Sequence, residues 1–206
     1  MRIPLPRRHW SPDYVYSRVK VAAYQRRHPA APWLTEAMIQ FLEGWLKPSD
    51  VVVEFGSGRS TLWFAERTAR VISVEHEAGW HAEITARLKD QRVGNVTYVL
   101  AQDPDLYARA GDTPVDAADL ILVDGFNRDA TALWALQKIK PGGMILVDNA
   151  SWYLPHATRA PSSVGEHGEP PTERWREFWQ VVRHWRHSWT SNGVWDTAAF
   201  FAPHER

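Results

Sequence analysis

The stretch Val51-Val52-Val53-Glu54-Phe55-Gly56-Ser57-Gly58-Arg59-Ser60-Thr61 decides the fold. Three β-branched residues, an acid and an aromatic read as a buried strand, and Gly-Ser-Gly marks where it must end. Two glycines two apart, at the carboxyl end of a first strand, let the backbone of the turn approach a ligand closely. In an open α/β sheet that place is a site for a nucleotide-type ligand.

Strands and helices alternate outward from this turn. The pattern predicts strand 50–55, helix 59–69, strand 70–75, helix 77–90, strand 95–100, a polar irregular stretch over 102–117, strand 119–124 and helix 128–139. Lys140-Pro141-Gly142-Gly143 reads as a turn into strand 144–148. Upstream, residues 12–28 and 33–46 read as helices separated by His28-Pro29-Ala30-Ala31-Pro32. Downstream, residues 155–171 carry four prolines and two glycines and read as a long loop or lid. Thr172 then caps a helix whose Trp175, Phe178, Trp179, Val182 and Trp185 share one face. Segments 186–190 and 194–201 form an antiparallel pair turned at Ser191-Asn192-Gly193. The expected fold class is therefore α/β: a Rossmann-like, doubly wound sheet, mostly parallel with an antiparallel C-terminal strand, plus N-terminal helices. Residues 1–47 are expected as a helical cap, and 48–206 as the sheet domain of a single globular unit.

Composition sets limits. Hydrophobic residues make up 44% and charged residues 23% of 206, and the formal net charge is zero, so a general affinity for nucleic acid or anionic membrane is not indicated. Cysteine is absent, which excludes thiolate metal sites and cysteine nucleophiles. No apolar run approaches the ~18 residues a membrane span needs, and the basic N-terminus lacks a signal-peptide apolar core. The expected location is the cytoplasm, with no membrane partner and with a homodimer left open. Arg2, Arg7, Arg8, Arg18, Lys20, Arg26 and Arg27 oppose only Asp13 within residues 1–31, either as a solvated basic arm or as a contact for an anionic molecule. Of twelve tryptophans most are expected in the core, with Trp10 and Trp152, beside Tyr153, as candidate pocket walls.

The turn does not read as a dinucleotide site, because the third glycine of that fingerprint is here Thr61. A phosphate-binding Walker loop is excluded by the lack of Gly-Lys-Ser/Thr. Instead the second strand ends on Glu75, placed to accept bonds from two ribose hydroxyls. Asp103 follows the third strand, placed to accept from an exocyclic adenine amine, and Asp124 ends the fourth.

With these residues in order, the chain over about 50–150 resembles the class I S-adenosylmethionine-dependent methyltransferases. Glu54-Phe55-Gly56-Ser57-Gly58 resembles the family's first motif, Glu75 its ribose acid and Asp103 its adenine acid. Lys140-Pro141-Gly142-Gly143 resembles the turn before its fifth strand. The resemblance implies S-adenosylmethionine as cofactor, held by Glu54, Gly56, Ser57, Gly58, Ser60, Glu75, His76 and Asp103, with His76 lining the adenine pocket. It implies methyl transfer to a small acceptor, aromatic or anionic, most simply at oxygen.

Asp124 and Asp148-Asn149 end adjacent strands and form a hard oxygen set suited to Mg²⁺ or Ca²⁺. The set is similar to the Asp, Asp-Asn triad of catechol and caffeoyl-coenzyme A O-methyltransferases, which implies that Asp124, Asp148 and Asn149 hold an ion that acidifies a hydroxyl. That subgroup's lysine is missing, since its place is Asn127 followed by Arg128. The Asp-Gly-x-Asn-Arg segment at Asp124 to Arg128 looks closer to little-characterised bacterial methyltransferases. A competing reading has Asp124 orient the cofactor or acceptor while Asp148 and Asn149 position the acceptor directly. Metal-independent methylation of nitrogen or carboxylate, a binder of S-adenosylmethionine without catalysis, and a nucleic-acid methyltransferase are the alternatives. His156 and His167, in the long loop, are further candidates for a base.

Overall fold

The computed structural model describes residues 11–110 and 113–204. Arg2, Arg7, Arg8 and Trp10 lie outside the described residues. The elements are α1 (Pro12–Arg27), α2 (Glu36–Trp45), β1 (Val51–Phe55), α3 (Arg59–Ala65), β2 (Arg70–Glu75), α4 (Ala78–Asp90), β3 (Val96–Leu100), α5 (Pro104–Ala108), β4 (Ala118–Val123), α6 (Arg128–Lys138), β5 (Ile139–Asp148), α7 (Glu173–Val182), β6 (Arg186–Ser191) and β7 (Asp196–Phe201). They build one seven-stranded sheet in the order β3-β2-β1-β4-β5-β7-β6. Strands β1 to β5 pair in parallel, and β7 runs antiparallel to both β5 and β6. The strand order reverses between β1 and β4, and in such sheets the crevice at that reversal takes the ligand.

Alternation along the central strands divides the core. Val53, Phe55, Ile121, Val123, Ile145 and Val147 face α6 and α7, where Ala132, Trp175 and Phe178 meet them. Val52, Leu120, Leu122, Met144 and Leu146 face α2 and α3, where Met38, Leu42, Trp63 and Phe64 meet them. Burial on both faces explains why these strands read as nearly unbroken apolar runs. Helix α2 is thus part of the core, whereas α1 buries no residue. Ser11 caps α1 by accepting from the Tyr14 N–H. Among the described residues no helix is long and apolar enough to cross a membrane.

Several local details differ from the sequence reading: α3 ends at Ala65 and not near 69, and β7 starts at Asp196 and not near 194. Helix α2 starts at Glu36 rather than residue 33, because Thr35 takes the N-cap position and Trp33 precedes it as an exposed side chain. The stretch 102–117 contains α5, started by Asp103-Pro104: the Asp103 carboxylate accepts from the N–H groups of Asp105 and Leu106. Lys140-Pro141-Gly142-Gly143 is the bulged start of β5 rather than a turn before it. Ala118 pairs with Ile139 but Leu120 with Met144, and the Gly142 N–H donates to Ala202 O.

Candidate active site

Strand β1 enters the crevice through Gly56, whose φ of +90° favours glycine. Its N–H donates to Val74 O, fixing the turn against β2. A Cβ built on Gly56 would lie 2.7 Å from Gly125 N, so the turns after β1 and β4 touch backbone to backbone. Thr61, standing where a third glycine was absent, has a structural task of its own. Its hydroxyl accepts from the Gly58 N–H (3.0 Å) and donates to Glu54 Oε2 (2.6 Å), and the Ser73 hydroxyl donates to the same oxygen (2.7 Å). Glu54 is fully buried behind the turn, so it shapes the loop from below.

Burial pushes the Glu54 carboxyl up to about 7, against the opposing pull of the Ser60, Thr61 and Ser73 hydroxyls. The sign follows: a carboxyl raised in the folded state contributes stability that is full below its unfolded pKa and is lost as pH rises through about 7. Glu54→Gln is therefore expected to gain on the wild type by about 3 kcal/mol in unfolding free energy between pH 4 and pH 8. Urea titrations at the two pH values check this, and parallel curves for both proteins would refute it.

Ser57 ties the turn to the end of β2. Its N–H and hydroxyl donate to Glu75 Oε2 (3.1 and 2.7 Å), and its carbonyl accepts from Trp80 Nε1 (2.8 Å). Glu75 Oε1 accepts from the N–H groups of His76 and Glu77. Burial alone would raise the Glu75 carboxyl, but these donors, Glu77 foremost, hold it below its ordinary value, so it is an anion in the crevice. The Tyr98 hydroxyl lies 2.7 Å from that of Ser57; burial raises its pKa, so it remains a protonated donor. His76 stacks on Phe126 at 4.9 Å.

Across the crevice, β4 and β5 deliver Asp124, Asp148 and Asn149, and Arg128 joins them. Its guanidinium donates to Asp124 Oδ1 through Nη2, to Asn149 Oδ1 (3.0 Å) and Asp148 O (2.8 Å) through Nη1, and to Gly125 O (3.0 Å) through Nε. The Tyr153 ring lies 5.8 Å from the guanidinium carbon. Asp148 is buried and accepts from the Thr197 hydroxyl (2.8 Å), whose oxygen also accepts from the Thr35 N–H (3.2 Å). Burial first, then the charge of Asp124, raises the Asp148 carboxyl far above the usual carboxylate range.

These residues do not fit a divalent cation as they stand. An ion would have to sit about 2.0–2.6 Å from the oxygens of Asp124 and Asn149, and the Arg128 guanidinium fills the space between them. The ligand role implied by the resemblance to the catechol-type triad therefore does not fit this arrangement of Asp124, Asn149 and Arg128.

One cavity of about 780 Å³ joins the two sides of the crevice. It brings together Gly56, Ser57, Gly58, Ser60, Glu75, His76, Asp124, Asp148 and Asn149. Glu54 stands behind it and Asp103 lies outside its lining, capping α5. Helix α1 roofs it with Arg18, Val21, Ala22 and Gln25, whereas residues 155–171 contribute nothing to its lining. That loop packs elsewhere, with His156 stacked on Trp189 at 4.1 Å. The aromatic walls are Trp33, Trp80 and Trp195 rather than Trp152 and Tyr153. Among the described residues, the lining residues Arg59 and Trp195 each carry a buried donor without a hydrogen-bond partner, Nη1 and Nε1. An unsatisfied buried donor is costly, so such atoms mark where a ligand's acceptor atoms would be stabilised. The part played by Arg128 was not apparent in sequence, where it stood only beside the place of a missing lysine, four residues after Asp124.

Residues 53–150 match the family model described as a methyltransferase domain. No curated protein matches the sequence. Three of the solved structures that share the fold illustrate its range. The O-methyltransferase TomG from Streptomyces achromogenes, involved in tomaymycin synthesis and solved with S-adenosylmethionine, is 19% identical with a TM-score of 0.61, over 96% of this chain and 99% of that one. An rRNA methylase from Streptococcus thermophilus is 11% identical with a TM-score of 0.52, over 80% of this chain and 92% of that one. The precorrin 8w decarboxylase of Methanobacterium thermoautotrophicum is 19% identical with a TM-score of 0.52, over 84% of this chain and 94% of that one. Three proteins so differently described on one fold leave the acceptor to be argued from the site itself.

Proposed function

We propose that this chain, an S-adenosylmethionine-dependent methyltransferase of the class I fold, methylates an oxygen of a small anionic acceptor, with no divalent cation in the step. The observation that carries the reading is a single cavity holding both the glycine turn with Glu75 and a buried carboxyl, Asp148, at the opposite strand ends. Gly56, Ser57 and Gly58 offer backbone to the cofactor's methionine part, and Glu75 accepts from its ribose hydroxyls. Bound there, S-adenosylmethionine supplies a methyl carbon on a positively charged sulfur, which keeps the bonding pair when an acceptor oxygen takes the carbon. Asp148 receives the acceptor's hydroxyl proton and passes it to solvent. A proton acceptor works best with a pKa near the working pH, and burial has moved this carboxyl in that direction. Arg59 and Trp195 offer their unpartnered N–H groups to the acceptor's anionic group, between the indole walls. Helix α1 excludes water from above.

Turnover with a panel of phenols, carboxylates and amines tests the reading. For a hydroxyl acceptor the rate is expected to fall as pH drops below the raised Asp148 pKa, because the base must be unprotonated. Asp148→Asn is expected to lower kcat by about 10²–10⁴-fold while leaving cofactor affinity unchanged. Undiminished turnover in that variant, with a carboxylate as the preferred acceptor, would instead favour carboxyl methylation.

A further inference from the structure

We infer that Arg128 is the resident cation of this site, taking the place that the oxygens of Asp124, Asp148 and Asn149 would otherwise offer to a divalent ion. Two carboxylates and an amide oxygen at the ends of adjacent strands are hard donors, a set that Mg²⁺, Ca²⁺ and Mn²⁺ favour. The fold places a positive charge among them from within the chain.

The placement is built by the backbone. Asn127 adopts left-handed angles (φ +48°, ψ 42°), which turns the chain sharply between β4 and α6 and makes Arg128 the first residue of that helix. Its side chain then lies back over the strand ends. Four of the five guanidinium N–H groups are committed: Nε to Gly125 O, Nη1 to Asp148 O and Asn149 Oδ1, and Nη2 to Asp124 Oδ1. Only 15% of the side chain is exposed, so this is not a solvated surface pair. A planar fork held at three corners is fixed in a way that a lysine's single ammonium could not reproduce.

One Nη2 hydrogen remains, and Arg128 lines the cavity. That hydrogen is the donor left for an acceptor oxygen, so the guanidinium both neutralises Asp124 and polarises the acceptor. It supplies less charge than a divalent ion, but its charge is permanent and chelators cannot remove it. The inference rests on the acceptor end of the cavity proposed above and not on the identity of the acceptor.

Mn²⁺ titration followed by electron paramagnetic resonance tests it directly, using the wild type, Arg128→Ala, and Arg128→Ala combined with Asp148→Asn. The wild type is expected to bind no stoichiometric Mn²⁺. Removing the guanidinium is expected to open a one-ion site at least about tenfold tighter than any wild-type binding, because it leaves the Asp124 carboxylate without its counter-charge. Adding Asp148→Asn is expected to weaken that new site. Stoichiometric Mn²⁺ on the wild type, displaced by Mg²⁺, would overturn the inference, and so would a folded Arg128→Ala that binds none. Should Arg128→Ala fail to fold, Arg128→Gln, which drops the charge but keeps a polar side chain, takes its place with the same two outcomes. Because the readout is ion binding, its failure would remove the cation-free part of the proposed function but leave methyl transfer itself intact, and absent turnover leaves this inference intact.

Discussion

Replacing Gly125 with alanine is expected to lower the unfolding free energy by about 3 kcal/mol or more. The added Cβ would stand 2.7 Å from Gly56 Cα, 3.0 Å from Gly56 N and 2.6 Å from the Tyr107 hydroxyl, at a φ of +72°. Tyr107 is fully buried and could shift only by disturbing the core around Phe55. The Gly56 backbone could shift only by moving the glycine turn itself. The loss is therefore both stability and cofactor affinity, with a melting temperature lower by about 6–12 °C for a domain of this size. Gly44→Ala provides the control. It lies in α2 with nothing within 4 Å of an added Cβ, and alanine there is expected to stabilise by about 0.5–1 kcal/mol. Denaturation of both variants checks the pair; a loss under about 1 kcal/mol in Gly125→Ala would mean that the two turns do not touch as described.

Glu75→Ala is expected to weaken S-adenosylmethionine binding by at least about 100-fold, since hydrogen bonds to a charged acceptor contribute about 1.5–3 kcal/mol each and the ribose offers two. Part of the loss is indirect. Oε2 holds the Ser57 N–H and hydroxyl and Oε1 holds the His76 and Glu77 N–H groups, so the alanine variant also releases the turn. Ser57→Ala separates the two contributions, because it removes one tie to the turn and leaves the carboxylate anionic. It is expected to cost less than about tenfold. Glu75→Gln is expected to resemble the alanine variant, since an amide places two donors against donors already there. Calorimetry on the three variants decides, and equal affinity in Glu75→Ala and wild type would remove Glu75 from the ribose.

The sequence made some of this visible for physical reasons. Strands β1, β2 and β4 are buried on both faces, so each reads as an apolar run, and an acid at such a strand's end is conspicuous. Glu75 was legible for that reason, as was the turn at Gly56. Helix α5 was not, because five residues are too few to show a period. The bulged start of β5 was hidden because its partner is the chain around Ala202, far away in sequence. Arg128 could be seen only as the wrong residue near a missing lysine. Its destination depends on β4 and β5 ending side by side and on the left-handed angles of Asn127, neither of which a linear pattern displays. The roof was assigned to the two N-terminal helices together with residues 155–171; α1 lines the cavity and residues 155–171 do not. Prolines and glycines mark a loop but do not say where it packs.

The run of hydrogen bonds from the Thr35 N–H through Thr197 to Asp148 limits what can be recombined in this protein. The first donor is a backbone group, so its task is set by where the chain passes and not by the side chain at residue 35. A borrowed N-terminal segment would have to bring its backbone to the same point, or Thr197 would be free to turn its hydroxyl away from Asp148. In the proposed mechanism the segment that shapes acceptor entry would therefore also help to tune the carboxyl that handles the proton. On that mechanism selectivity and reactivity would be inherited together, and exchanging the one as a module would exchange the other with it.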